Sequence, residues 1–203
     1  MHRFVGVLGA LGAAALAVVL GGRTAIAWEQ PCDFLTGGGF IYTTASETHP
    51  VTKGTFAIGG GCKHGSPTWG HLEYHDHYNG LNAHWTSITA YMKEGDPPQT
   101  FDPKTGQPTG TRLVCGTART NLYGDVDFMV RATDNGEPGS SDEFDIRLSK
   151  FGFIVYTTEA EPGAPHKLGG GDGGGGNIQL HKPNPSTTGE FGGDCAARSA
   201  VFP

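Results

Sequence analysis

The sequence predicts an all-β protein, an antiparallel two-sheet sandwich or jelly roll with long Gly/Pro-rich loops. Apolar residues recur with period two: Val126, Phe128, Val130 and Ala132 alternate with Asp125, Asp127, Met129 and Arg131, and Phe144, Ile146 and Leu148 alternate with Glu143, Asp145 and Arg147. Gly, Pro, Asn and Asp punctuate the chain between short strand-like runs. No amphipathic helical pattern follows residue 27.

The chain begins with MHRFVGVLGALGAAALAVVLGGRTAIA, a basic start, an apolar run and a small-x-small ending at Ala25-Ile26-Ala27. That pattern reads as a secretory signal peptide, residues 1–27, cleaved near Ala27. Export to the periplasm or the medium is the expectation. No later run of about 18 apolar residues offers a membrane span. Cleavage removes Arg3 and Arg23 and no acid, leaving 12 basic against 20 acidic residues, a formal net charge of −8. Nucleic acid is therefore not an expected partner. The remaining length suits a single β-sandwich domain, 28–183, and a Gly/Pro-rich C-terminal tail, 184–203.

Strand-like runs fall near 36–43, 53–62, 69–77, 81–92, 111–119, 124–133, 142–149, 152–158 and 177–181. Residues 94–110 hold four prolines that cannot donate to a ladder, so a long connection is expected there. Residues 160–176 form a second, ending in GGGDGGGG; with no GK[ST] and no helix after it, this run reads as a flexible loop, not a phosphate cradle. The tail is too rich in Pro and Gly to add a core strand, and its one expected anchor is Cys195.

Four cysteines, Cys32, Cys62, Cys115 and Cys195, in an exported chain read as two disulfides. Three connectivities are open. The preferred one pairs Cys32 with Cys195, clamping the ends, and Cys62 with Cys115, joining two strands. Without a C-x-x-C pair, a thiolate metal cluster is disfavoured.

The stretch GHLEYHDHYNGLNAHW, residues 70–85, concentrates four histidines and a glutamate around Asn79-Gly80, the favoured centre of a two-residue hairpin turn. On that register Tyr78 faces Leu81, Tyr74 faces Trp85, Leu72 faces Ser87 and His75 faces His84. Leu72, Tyr74, Ala83 and Trp85 belong against the core. His71, Glu73, His75, His77, Asn82, His84 and Thr86 share the opposite face. Glu73, His75 and His84 are the candidate metal ligands, a nitrogen and oxygen set suited to zinc, iron or copper with a position left open. His71, His77 and Asn82 are candidate binding residues. The competing reading is a solvated polar face of hydrogen-bonded imidazoles, or a direct ligand groove.

A second cluster lies in TDNGEPGSSDEFD, 133–145, where Asp134, Asn135, Glu137 and Asp142 offer oxygen ligands for calcium. The spacing departs from the calcium-loop pattern, and turn chemistry alone accounts for these residue types. There is no G-x-S-x-G and no H-E-x-x-H, and both disulfides would leave no free cysteine nucleophile. A cupin-like site would place a glutamate after H-x-H, whereas Glu73 precedes His75-Asp76-His77.

TGGGFIY at 36–42, GHLEYHDHYNGLNAHWTSITAY at 70–91, ATDNGEPG at 132–139 and GGGNIQLHK at 174–182 together resemble the post-COAP domain of secreted bacterial proteins. The likeness spans most of 32–183. It implies a small exported β-rich module without assigned chemistry, often joined to other extracellular pieces, whereas here the module stands nearly alone. No catalytic residue is carried over. The leading expectation is a secreted, non-enzymatic β-sandwich module that binds a surface polymer, a protein or a small polar ligand. The alternatives are a metal-dependent enzyme with a His/His/Glu site on the 70–91 hairpin and a purely structural domain.

Overall fold

A computed structural model describes residues 31–44, 50–95, 99–159, 165–171 and 174–203; residues 1–27, expected from the sequence to be a signal peptide, lie outside them. The described strands are β1 Phe34–Tyr42, β2 Lys53–Lys63, β3 Ser66–Asp76, β4 Asn82–Glu94, β5 Thr100–Phe101, β6 Pro108–Thr120, β7 Gly124–Asp134, β8 Glu143–Lys150, β9 Phe153–Thr157, β10 Gly176–His181 and β11 Gly192–Gly193. Every run of alternating residues singled out from the sequence is a strand. The two-residue strands β5 and β11 were not anticipated, because two residues carry no period.

The expected antiparallel pairing is present, but the division into two separate sheets is not. One continuous sheet runs β10-β1-β2-β3-β4-β6-β7-β8-β9. It folds over on itself instead. Phe56 of β2 stacks on Phe144 of β8 with ring centroids 3.8 Å apart, although several strands separate them along the sheet. Tyr74 of β3 and Tyr156 of β9 share a hydrogen bond of 2.7 Å across the same interior. Leu35, Ile58, Leu72, Phe128, Ile146 and Leu180 belong to that single buried cluster. The ladder between β4 and β6 slips between Trp85 and Ser87 and again between Ile88 and Ala90. Such bulges add twist and bend, which a sheet needs in order to turn back on its own face.

The β10 edge is closed by side chains. Leu180 N donates to Asp134 Oδ2 at 2.7 Å and Ile178 N to Asp142 Oδ2 at 2.8 Å, so edge amides that would template another strand are already occupied. A buried ion pair holds the start of β1. Arg112 Nε lies 3.1 Å from Asp33 Oδ1, which also accepts from Tyr91 Oη at 2.7 Å.

The disulfides are Cys32–Cys62 and Cys115–Cys195, not the preferred pairing of Cys32 with Cys195 and Cys62 with Cys115. Register decides the first. Phe34 pairs with Gly61 and Cys62 N donates to Asp33 O at 3.1 Å, which brings Cys32 beside Cys62. The tail decides the second. Gly192 and Gly193 pair with Tyr91 and Ala90 of β4, and the turn Ala196–Ser199 follows. Cys195 and Ala197 then complete a small second core with Leu113, Cys115 and Met129. The tail is thus packed on the sheet, by a short strand as well as by Cys195.

Candidate functional site

The hairpin that carries the histidines reverses over four residues, not two. Asp76 N donates to Leu81 O at 2.9 Å and Gly80 N to Asp76 O at 3.0 Å. Asp76 Oδ1 caps Tyr78 N at 2.8 Å and Asn79 Oδ1 caps Leu81 N at 2.9 Å, local bonds that pay for the wider loop. The register is corrected accordingly: Glu73 faces His84, Tyr74 faces Ala83 and His75 faces Asn82. Tyr78 lies in the loop and is exposed, not packed on the core. The shift is by two residues, so the assignment of faces survives. Leu72, Tyr74, Leu81 and Ala83 are buried, while Glu73, His77, Asn82 and His84 are exposed and His71 and His75 half-buried.

The polar face is paired rather than convergent. His84 Nδ1 and Glu73 Oε1 form a cross-strand hydrogen bond, both side chains more than half exposed. His75 Nδ1 bonds Asn82 Oδ1 at 2.8 Å, and its ring meets that of His77 edge-on at 4.5 Å. His77 Nε2 bonds Thr55 Oγ1 of β2 at 3.2 Å. The His71 ring covers Gly59, where an added Cβ would come within 2.9 Å of its Cε1. Glu73, His75 and His84 are therefore brought together as two pairs and not as one coordination sphere.

The acidic loop is likewise engaged with the backbone. Asp134 accepts from Gly136 N at 2.7 Å as well as from Leu180 N, and Asp142 accepts from Asn135 N at 2.9 Å as well as from Ile178 N. Glu137 Oε1 accepts from Asn177 and Gln179 of β10, both at 3.2 Å, and the Asn135 amide donates to Ser141 O at 2.7 Å. Burial pushes the Asp142 carboxyl up to about 6 and raises Asp134 too. Among the described residues, no group of three or more His, Cys, Asp or Glu is arranged to hold a metal ion.

The ladder between β3 and β4 ends at Glu73 and His84. Beyond it a hollow of about 490 Å³ is lined by Asn82, His84, Trp85, Thr86, Arg119 and Asn121. Trp85 was expected inside, opposite Tyr74. It pairs with Ala118 on β6, packs in part against the core and leaves part of its indole in the hollow. The imidazole of His84 stacks beside it at 6.2 Å. Arg119 reaches into water with only a long 3.5 Å contact to Asp125. Asn121 is fixed by bonds to Gly80 O at 2.9 Å and Asn82 N at 2.8 Å. Arg119 and Asn121 carried no motif in the sequence, and Thr86 was placed only on the polar face of the hairpin. Their proximity depends on β6 lying beside β4, which sets Arg119 opposite His84, a pairing distant in sequence that periodicity does not reveal.

A second hollow, of about 300 Å³, lies between Lys93, Gln99, Phe101 and Lys182, but the carboxylate at its floor, Asp33, is already committed to Arg112. Comparison with protein-family models, curated proteins and solved structures finds no match to this chain.

Proposed function

We propose that the protein is an exported, sandwich-like β module that binds an extracellular polysaccharide through the hollow around Trp85. Export is supported by the two disulfides, which persist in oxidising compartments, and by the signal-like residues 1–27. Among the described residues, no helix is long and apolar enough to cross a membrane. The resemblance to post-COAP modules of secreted proteins agrees with this setting.

One observation carries the binding reading: a half-buried indole is rimmed by the hydrogen-bonding groups of His84, Arg119, Thr86 and Asn82 on an otherwise flat polar face. A rigid aromatic plane offers apolar area at low entropic cost, and the polar rim fixes orientation. A pyranose ring has the complementary surface, with C–H bonds on one side and hydroxyls at its edge. The open, shallow shape suits one stretch of a long polymer better than a small molecule, which a pocket would enclose. The metal-enzyme alternative at Glu73, His75 and His84 loses support because these side chains are arranged in two separate pairs and do not converge on one point.

The test is a polysaccharide array followed by titration with untagged protein. Saturable binding to at least one polymer is expected, weakened about tenfold or more in Trp85→Ala and unchanged in His77→Ala, where the ring lies outside the hollow. Failure to bind any polysaccharide, or equal binding by Trp85→Ala, would overturn the reading.

A further inference from the structure

A buried carboxylate, an imidazole and an exposed hydroxyl are joined by hydrogen bonds at a place that shares no residue with the hollow around Trp85. Asp145 lies on β8 and is 3% exposed; His166, on the segment that returns over β8, is 9% exposed. His166 Nδ1 is 2.7 Å from Asp145 Oδ1, and Thr44, two residues past β1, places its Oγ1 2.9 Å from His166 Nε2. Asp145 is held from every side. Its Oδ1 also accepts from Thr158 Oγ1 at 3.0 Å and its Oδ2 faces His166 N at 3.3 Å, while Phe144 N donates to His166 O at 3.0 Å.

With the ring neutral, the hydrogen-bond partners set the proton positions. A carboxylate only accepts, so Nδ1 carries the hydrogen; the neutral ring then presents a lone pair at Nε2, and the Thr44 hydroxyl donates to it. This is the arrangement by which an imidazole, oriented by a buried aspartate, draws a proton from a hydroxyl nucleophile, and it recurs on unrelated folds. Asp145, Thr158 and the backbone of His166 tie the returning segment to β8, which leaves Nε2 of the ring to be satisfied. The exposed Thr44 is the partner of that nitrogen, and its hydroxyl thereby stands at the nucleophile position.

We propose that Thr44, His166 and Asp145 form an acyl-transfer site that accepts carboxylic esters, an activity beyond binding at Trp85 and independent of it. Thr44 Oγ1 attacks the ester carbonyl carbon, forming a C–O bond as its proton passes to His166 Nε2. The tetrahedral adduct collapses, the bond to the leaving alkoxide breaks, and His166 returns the proton to it as the alcohol departs. Water, activated by the same Nε2, then cleaves the threonyl ester and releases the acid. Asp145 is a positioning residue, holding the ring in the tautomer and orientation that the first proton transfer needs.

The experiment treats the purified folded protein with a fluorophosphonate probe. The Thr44 oxygen displaces fluoride at phosphorus, with the proton passing to His166, and mass spectrometry locates the adduct. Labelling at Thr44 is expected, faster at higher pH, retained in Thr44→Ser and absent in Thr44→Ala. Asp145→Asn should slow labelling by roughly 10²-fold or more and flatten its pH profile. Should that variant fail to fold, the exposed Thr44 variants decide alone. A folded wild-type protein left unmodified at Thr44, or labelled equally in Thr44→Ala, would overturn the proposal.

Discussion

At the scale of single residues, Asp142 shows burial prevailing over hydrogen bonding. Both of its oxygens accept backbone N–H bonds, which favour the carboxylate, yet removal from water outweighs them and lifts its pKa to about 6. Asp134 shifts the same way for the same reason. A carboxyl whose folded pKa lies above its unfolded value of about 3.9 stabilises the fold fully below that value and loses the contribution as pH rises through the folded one. Asp102 has the opposite sign: backbone N–H bonds from Glu137, Thr105 and Lys104 lower it, so its contribution is lost as pH falls below the ordinary carboxylate range. The urea midpoint should therefore decline between about pH 4 and pH 6 as Asp142 ionises, with Asp134 acting in the same direction. Carboxyl carbon NMR should place Asp142 near 6; a titration below 4 would contradict the account.

At the scale of elements, the bend between β4 and β6 depends on close backbone approach. A Cβ at Gly116 would lie 2.0 Å from Ser87 O and 2.9 Å from the Phe128 ring, beside the bulge that lets Trp85 reach the hollow. Gly116→Ala should cost at least about 2 kcal/mol, toward the upper part of the range for overpacking, measured by urea unfolding. It should also weaken the proposed polysaccharide binding at Trp85, whose partner Ala118 lies two residues along β6 from Gly116. An unchanged midpoint would show that the strands have slack. The β3–β4 hairpin illustrates the same scale from the other direction: its loop grew by two residues and partners changed, yet Leu72, Tyr74 and Ala83 kept the buried face and Glu73, Asn82 and His84 the exposed one.

At the scale of the molecule, the tail and its disulfide hold the outer side of the sheet. Cys115–Cys195 closes a loop of 80 residues, which chain-entropy arguments value at about 4.5 kcal/mol, and the contacts it secures bury Ala197 against Leu113 and Met129. Replacing both cysteines by serine should lower unfolding free energy by about 3–5 kcal/mol and open the tail to proteolysis near Arg198. Retained stability with an intact tail would mean that β11 and the small core suffice without the covalent link.

The sequence by itself determined what depends on neighbours along the chain. Alternation at Val126–Ala132 and Phe144–Leu148 marked strands and their inward faces, and the hairpin turn put His71, Glu73, His75, His77 and His84 on one side. Only the tertiary structure decided which strands meet. Cysteine pairing, one sheet in place of two, the hollow that joins Trp85 to Arg119, and the line from Thr44 through His166 to Asp145 all bring together residues distant in sequence. Alternation assigns a side chain to a face and carries no information about the strand laid beside it, so contacts made by folding the sheet over were not legible before the fold was seen.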